Sequence, residues 1–118
     1  MVDLTKLASF SEKEKSNQDS NEAALVIRAR QGDKQAFDVL YVRYCGQIKR
    51  YLSRMVGDDN AACDLAQDTF LKAWSQLPSL REPTRFTSWL YRIAQNCARD
   101  YQRHLGRLQL ISLSVNAS

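Results

Sequence analysis

From Asn21 onward, apolar residues recur at steps of three and four, the spacing of a single buried helical face. The first 20 residues lack that period and are rich in Ser, Lys and Glu, so residues 1–20 are expected to form a flexible tail. A short first helix is predicted from Asn21, as its cap, to Gln31, with Gly32 ending it. Asp33 caps a second helix that carries Phe37, Leu40, Tyr41, Tyr44, Ile48, Tyr51, Leu52 and Met55 on one stripe and stops at Gly57. The turn "GDDN" then supplies Asp59 or Asn60 as the cap of a third helix, from about Ala61 to Leu77, which Pro78 closes. Its buried stripe is Ala62, Ala66, Phe70, Ala73 and Leu77, with Trp74 at one border. The segment "PSLREPTR" breaks the period with two prolines and reads as a loop. The last helix is predicted from near Arg85 to about Leu108, with Phe86, Leu90, Ile93, Ala94, Cys97, Tyr101 and Leu105 inward and Trp89 at the edge. The final stretch "LQLISLSVNAS" reads as a linker or loose end and not as an element. No alternating strand pattern and no repeat occurs, so the fold class is all-α, a compact bundle of about four helices. The expected domain is residues 21–108, with residues 109–118 starting a linker or forming a loose end.

Composition narrows the classes without choosing one. A chain of 118 residues with 44% hydrophobic and 25% charged residues suits one ordinary soluble domain. No apolar run approaches the roughly 18 residues of a membrane span, and the charged start is a poor signal peptide, so a cytoplasmic protein without membrane insertion is expected. Cys45, Cys63 and Cys97 show no CxxC or Cys/His cluster, which predicts buried reduced thiols and no metal. One histidine, no glycine-rich phosphate loop and no paired carboxylates with a base leave no catalytic site and no cofactor site.

Charge placement changes the picture more than net charge, which is only +4. Residues 80–107 hold six arginines and two acids, whereas residues 58–68 hold four acids and no base. On the third helix Asp64, Gln67, Asp68, Leu71 and Ser75 share about 100° of arc opposite the buried stripe. That arc fits either a solvated acidic face near a helix N-terminus or a protein-docking patch centred on an exposed leucine. On the last helix Arg85, Arg92, Arg99 and Arg103 project within about 40° of one another, flanked by Gln95 and Asn96, with Arg107 at the edge. A solvated face usually interleaves glutamates at four-residue spacing, and here only Asp100 is available. Arginine forks match phosphate and the amides can read base edges, so this face favours nucleic acid. Tyr91, off the core centre, could stack on a base.

The stretches "VIRARQGDKQAFDVLYVRY", "DLAQDTFLKAW" and "FTSWLYRIAQNCARDYQR", in that order, resemble region two of bacterial RNA polymerase sigma factors, above all the extracytoplasmic-function group. The resemblance covers residues 24–107 and implies a sigma region two fold and a role in transcription initiation. It places Asp64, Gln67, Asp68, Leu71 and Trp74 on the β′ clamp helices of core RNA polymerase. It places Arg81, Arg85, Arg92, Gln95, Asn96, Arg99 and Arg103 on the promoter −10 element, and makes the loop from Ser79 to Thr84 a pocket for a flipped non-template base. An anti-sigma factor is a further implied partner. Cys63 stands where the family often has an acid, and "LREPTR" replaces a loop that is often richer in Gly and Ser. The family's second helical domain, which reads the −35 element, does not follow here, which implies either a chain cut within the interdomain linker, the favoured reading, or a natural protein reduced to region two. Two other classes compete. A helix-turn-helix regulator would need a turn of about three or four residues in place of "PSLREPTR". A helical protein-binding adaptor would direct the arginines at an acidic partner, and salt-dependent binding to single-stranded −10 DNA separates it from a sigma domain.

Overall fold

A computed structural model describes residues 21–116, so the expected tail at residues 1–20 lies outside the described residues. Among the described residues four helices make the architecture: α1 at residues 21–30, α2 at Lys34–Val56, α3 at Asp59–Gln76 and α4 at Phe86–Asn116. The α3–α4 connection holds two short 3₁₀ turns, Leu77–Ser79 and Pro83–Arg85, each with a proline in its first two positions. No strand occurs among the described residues, as the sequence pattern predicts.

Local chemistry sets the helix ends. Gly32 and Gly57 take left-handed backbone, with φ of 102° and 73°, a region where a Cβ is costly. The Gly57 N–H closes α2 on the Ser53 carbonyl at 2.9 Å. Asp33 caps α2 by accepting from the Ala36 N–H at 3.3 Å, and Arg28 grips the same carboxylate through Nε at 3.1 Å and Nη2 at 2.8 Å. That fork, followed by the Ala36 amide, holds the Asp33 carboxyl below the usual carboxylate range. The cap of α3 is Asp58, one residue before the predicted pair. Its extended backbone lets its carboxylate accept from the Asn60 and Ala61 N–H groups, while Asp59 opens the helix, where the dipole favours an acid. Asn21 is itself helical and not a cap.

The core forms where the helical stripes converge: Leu25, Val26 and Ala29 of α1, Phe37, Leu40, Ile48 and Leu52 of α2, Leu65 and Phe70 of α3, and Phe86, Leu90 and Ile93 of α4 are buried. Small residues at Ala62, Ala66, Ala73, Ala94 and Ala98 on the buried faces allow close approach of α3 and α4. Buried Thr69 satisfies its hydroxyl on the Leu65 carbonyl at 2.7 Å within its own helix. A polar node fastens α1: the Tyr44 hydroxyl donates to Glu22 and stands 2.7 Å from the Thr87 hydroxyl, joining three helices. Burial first, and the Glu22 carboxylate second, push the Tyr44 phenol up to about 12.

Further expectations change with the fold. Residues 109–116 are not irregular: α4 runs on through them to Asn116, because a stretch without proline and with one glycine, Gly106, after Arg103 offers nothing to stop it. Beyond Gln102 that helix leaves the bundle, so Leu105, expected in the core, is exposed together with Leu108 and Ile111. Tyr41 is likewise 40% exposed, at the edge of the α2 stripe. The thiols also differ from expectation: all three are free, yet only Cys97 is buried, Cys45 is half-buried and Cys63 is exposed. Cys63 follows buried Ala62 by one residue, a step of about 100° that turns it off the core face.

Candidate protein and nucleic-acid interfaces

The predicted docking patch divides in two. Gln67, Leu71 and Trp74 edge an open groove of about 600 Å³ between α2 and α3, which Lys34, Phe37, Asp38, Tyr41 and Phe70 complete. Asp64 and Asp68 lie exposed on the outward face of α3 beyond Leu71. The groove is built from aromatic pairs: Phe37 meets Trp74 with ring centroids 5.0 Å apart, and Tyr41 stands edge-on to Phe70 at 4.8 Å. Leu71 is 69% exposed at its rim. A surface with an apolar floor, an exposed leucine and flanking carboxylates suits a helical protein partner with basic residues at its margin. The α2 half of this groove was not legible as a site, since Phe37 and Tyr41 fit the core stripe equally well.

The loop after α3 is held by a residue that carries no local sequence signal. Arg30, at the end of α1, donates through Nη1 to the Leu80 carbonyl at 2.9 Å and to the Arg81 carbonyl at 3.2 Å. Leu80 is buried, and its N–H bonds the Leu77 carbonyl at 3.0 Å, while the Arg85 N–H bonds the Glu82 carbonyl at 2.9 Å. The loop therefore has an anchored root and an exposed tip at Arg81, Glu82, Thr84 and Arg85. Arg85 belongs to the 3₁₀ turn and not to α4, because Pro83 tightens the chain there, so the seven-residue helical register runs only from Arg92.

Along α4, Arg92, Arg99 and Arg103 are exposed on the expected face, Asn96 is exposed beside them and Gln95 is half-buried. Of these three arginines only Arg103 has an acid partner among the described residues, Asp100 at 3.6 Å, an exposed pair of small energetic weight. Arg81, Arg85, Arg92 and Arg99 have no ion-pair partner among the described residues. Tyr91, a candidate for base stacking, is engaged elsewhere: its ring stands edge-on to Tyr51 at 5.1 Å and its hydroxyl donates to Gln47 at 3.4 Å. Trp89 packs against Phe86 at 5.9 Å on the margin of the core. Among the described residues no group of three or more His, Cys, Asp and Glu side chains could hold a metal, and no helix is long and apolar enough to cross a membrane.

The family model "Sigma-70 region 2" matches residues 40–108. The ECF RNA polymerase sigma-E factor of Haemophilus influenzae is 42% identical over 84 residues, which are 71% of this chain and 44% of that protein. The RNA polymerase sigma-H factor of Pseudomonas aeruginosa is 42% identical over 83 residues, 70% of this chain and 43% of that protein, so the chain spans less than half the length of these relatives. Among solved structures, an engineered region 2 of sigmaE in complex with GTAAAA superposes with a TM-score of 0.67 at 39% identity, covering 73% of this chain and 90% of that one. CnrH in complex with the cytosolic domain of CnrY follows at a TM-score of 0.61 and 32% identity, covering 80% of this chain and 63% of that one. The chain, with its four-helix bundle, acidic-apolar α3 groove and arginine-lined α4, belongs to the Sigma-70 region 2 family, with ECF sigma factors among its relatives.

Proposed function

We propose that this domain docks on core RNA polymerase through the α2–α3 groove and recognises, and helps melt, the promoter −10 element with the loop after α3 and the arginine face of α4. The observation that carries the proposal is the relative of the same fold in complex with GTAAAA, 39% identical over nearly its whole length. The separation of the faces supports it: Asp64, Gln67, Asp68, Leu71 and Trp74 lie on α3, whereas Arg81, Arg85, Arg92, Gln95, Asn96, Arg99 and Arg103 lie on the loop and α4. In this reading the α3 set meets the β′ clamp helices. Arg92, Arg99 and Arg103 hold phosphates, and the tip of the anchored loop, together with Gln95 and Asn96 further along α4, meets non-template bases. Phosphate contacts position and base contacts specify, so the two groups have separable effects. The role is binding and requires no catalytic group. It is exercised in the cytoplasm, where polymerase and DNA meet. The complex of CnrH with the cytosolic domain of CnrY supports an anti-sigma factor as a third partner.

The experiment is binding of the full chain to core polymerase and to a single-stranded −10 oligonucleotide at low salt. Asp68→Arg with Gln67→Ala is expected to lose polymerase while keeping DNA binding and melting temperature, since exposed substitutions usually cost within about 0.5 kcal/mol. Arg92→Ala with Arg99→Ala is expected to weaken every sequence alike. Unchanged polymerase affinity in the first variant, or an unchanged salt dependence in the second, refutes the corresponding assignment.

A further inference from the structure

Two arginines of α2 have no part in the scheme above. Arg50 and Arg54 stand one turn apart and, with Gln47 and Tyr51 of the same helix and Tyr91 of α4, line a cleft of about 210 Å³. No carboxylate lines it, and neither guanidinium has a hydrogen-bond or ion-pair partner among the described residues. Arg54 has a local reason to be there, since a cation in the last turn of α2 meets the negative end of the helix dipole. Arg50, a turn further in, gains little from that field, and like charges at four-residue spacing disfavour the pair.

The cleft is also fixed in place beside α4. The Tyr51–Tyr91 contact forms its wall, and the Gln102 amide donates to the Met55 carbonyl at 3.0 Å, pinning the end of α2 alongside α4. Tyr91 precedes Arg92, and Gln102 precedes Arg103, so both α2–α4 ties flank the arginine face.

We propose that this cleft binds a backbone phosphate of the promoter DNA and so extends the arginine face of α4 onto α2; the inference rests on the DNA-binding reading above. The site selects phosphate over base. Its two half-buried tyrosines are packed edge to face, leaving no pair of ring faces open for a base to enter. Two guanidinium forks supply charge and bidentate donors of the geometry that phosphate oxygens accept. The Tyr91 hydroxyl sits on a long 3.4 Å bond to Gln47, which it can exchange for a stronger one to an anionic oxygen.

The test measures the affinity of the full chain for a −10 oligonucleotide across a salt series, with the upstream part as single strand in one arm and duplex in the other. The wild type is compared with Arg50→Ala/Arg54→Ala, with Tyr91→Phe and with Arg92→Ala/Arg99→Ala. Loss of one phosphate contact at the cleft flattens the slope of log affinity against log salt by about 0.7 in the single-stranded arm or about 0.9 in the duplex arm. The arm that responds identifies the strand form held by the cleft. Base preference stays unchanged, and Tyr91→Phe weakens binding by about 2- to 10-fold, as the loss of one hydrogen bond does. A folded double α2 variant with an unaltered slope in both arms overturns the proposal, as does one that loses polymerase binding in place of the salt dependence. If the α4 variant also leaves the slope unaltered, or the wild type binds no DNA, it is the DNA reading itself that fails.

Discussion

Replacing Arg30 with alanine tests how the bundle holds the loop assigned to the −10 base. Arg30 is half-buried and its Nη1 serves two carbonyls, at 2.9 and 3.2 Å, the first belonging to buried Leu80. A hydrogen bond from a charged donor contributes about 1.5–3 kcal/mol. One nitrogen shared between two acceptors, one of them exposed, places Arg30→Ala near the lower end, at about 1.5 kcal/mol. For a domain of this size each kcal/mol shifts Tm by about 4–8 °C, so the expected fall is about 6–12 °C in a thermal melt followed by circular dichroism. Arg30→Lys retains the charge without the fork and is expected to recover part of it. Hydrogen exchange locates the effect: the Leu80 and Arg85 amides, whose bonds to Leu77 and Glu82 shape the loop, should exchange faster relative to the α2 core. In the binding assay the variant should blur the −10 base preference and leave the salt slope intact. A Tm change below about 2 °C together with unaltered exchange at Leu80 and Arg85 refutes the reasoning.

The Tyr44 node predicts an alkaline transition. Its phenol titrates at about 12 in the folded chain against 10.0 for the free group, so the stabilisation is complete below pH 10 and is lost as pH climbs towards 12; denaturant melts at pH 8 and 11 check it. Tyr44→Phe removes that pH dependence and takes one hydrogen-bond partner from each of Glu22 and Thr87, leaving the Arg43–Glu22 ion pair in place, with an expected cost of about 1–3 kcal/mol by urea unfolding. Trp89→Ala should cost about 2–3 kcal/mol, less than the roughly 3–5 kcal/mol of a fully buried ring, because Trp89 lies at the core margin; a folded variant that loses only DNA binding would make it a base wedge instead. Truncation after Arg107 should lower the helical signal with little change in Tm, since Leu108, Leu110, Ile111 and Leu113 are all exposed; a fall in Tm of several degrees refutes this expectation.

Period and punctuation in the sequence determined the elements. The three- and four-residue steps through Phe37, Leu40, Tyr44, Ile48 and Leu52, with Asp33 before them and Gly57 after, specify α2 to within a residue, because caps and left-handed glycines act through backbone groups only a few residues away. The same local logic made the arginine register of α4 and the polar arc of α3 legible, since faces of one helix follow from 3.6 residues per turn. Relations between helices were decided only by packing. Nothing near Arg30 in sequence indicates that its guanidinium reaches carbonyls 50 residues away, nor does Glu22 announce Tyr44 and Thr87 as partners. Tyr41 and Leu105 carry the right period for the core yet lie exposed, because a stripe is buried only as far as a neighbouring helix extends to cover it. The groove joining Lys34 to Trp74 and the cleft joining Arg50 to Tyr91 exist because separate amphipathic helices bury their stripes together, leaving side chains distant in sequence side by side at the seams.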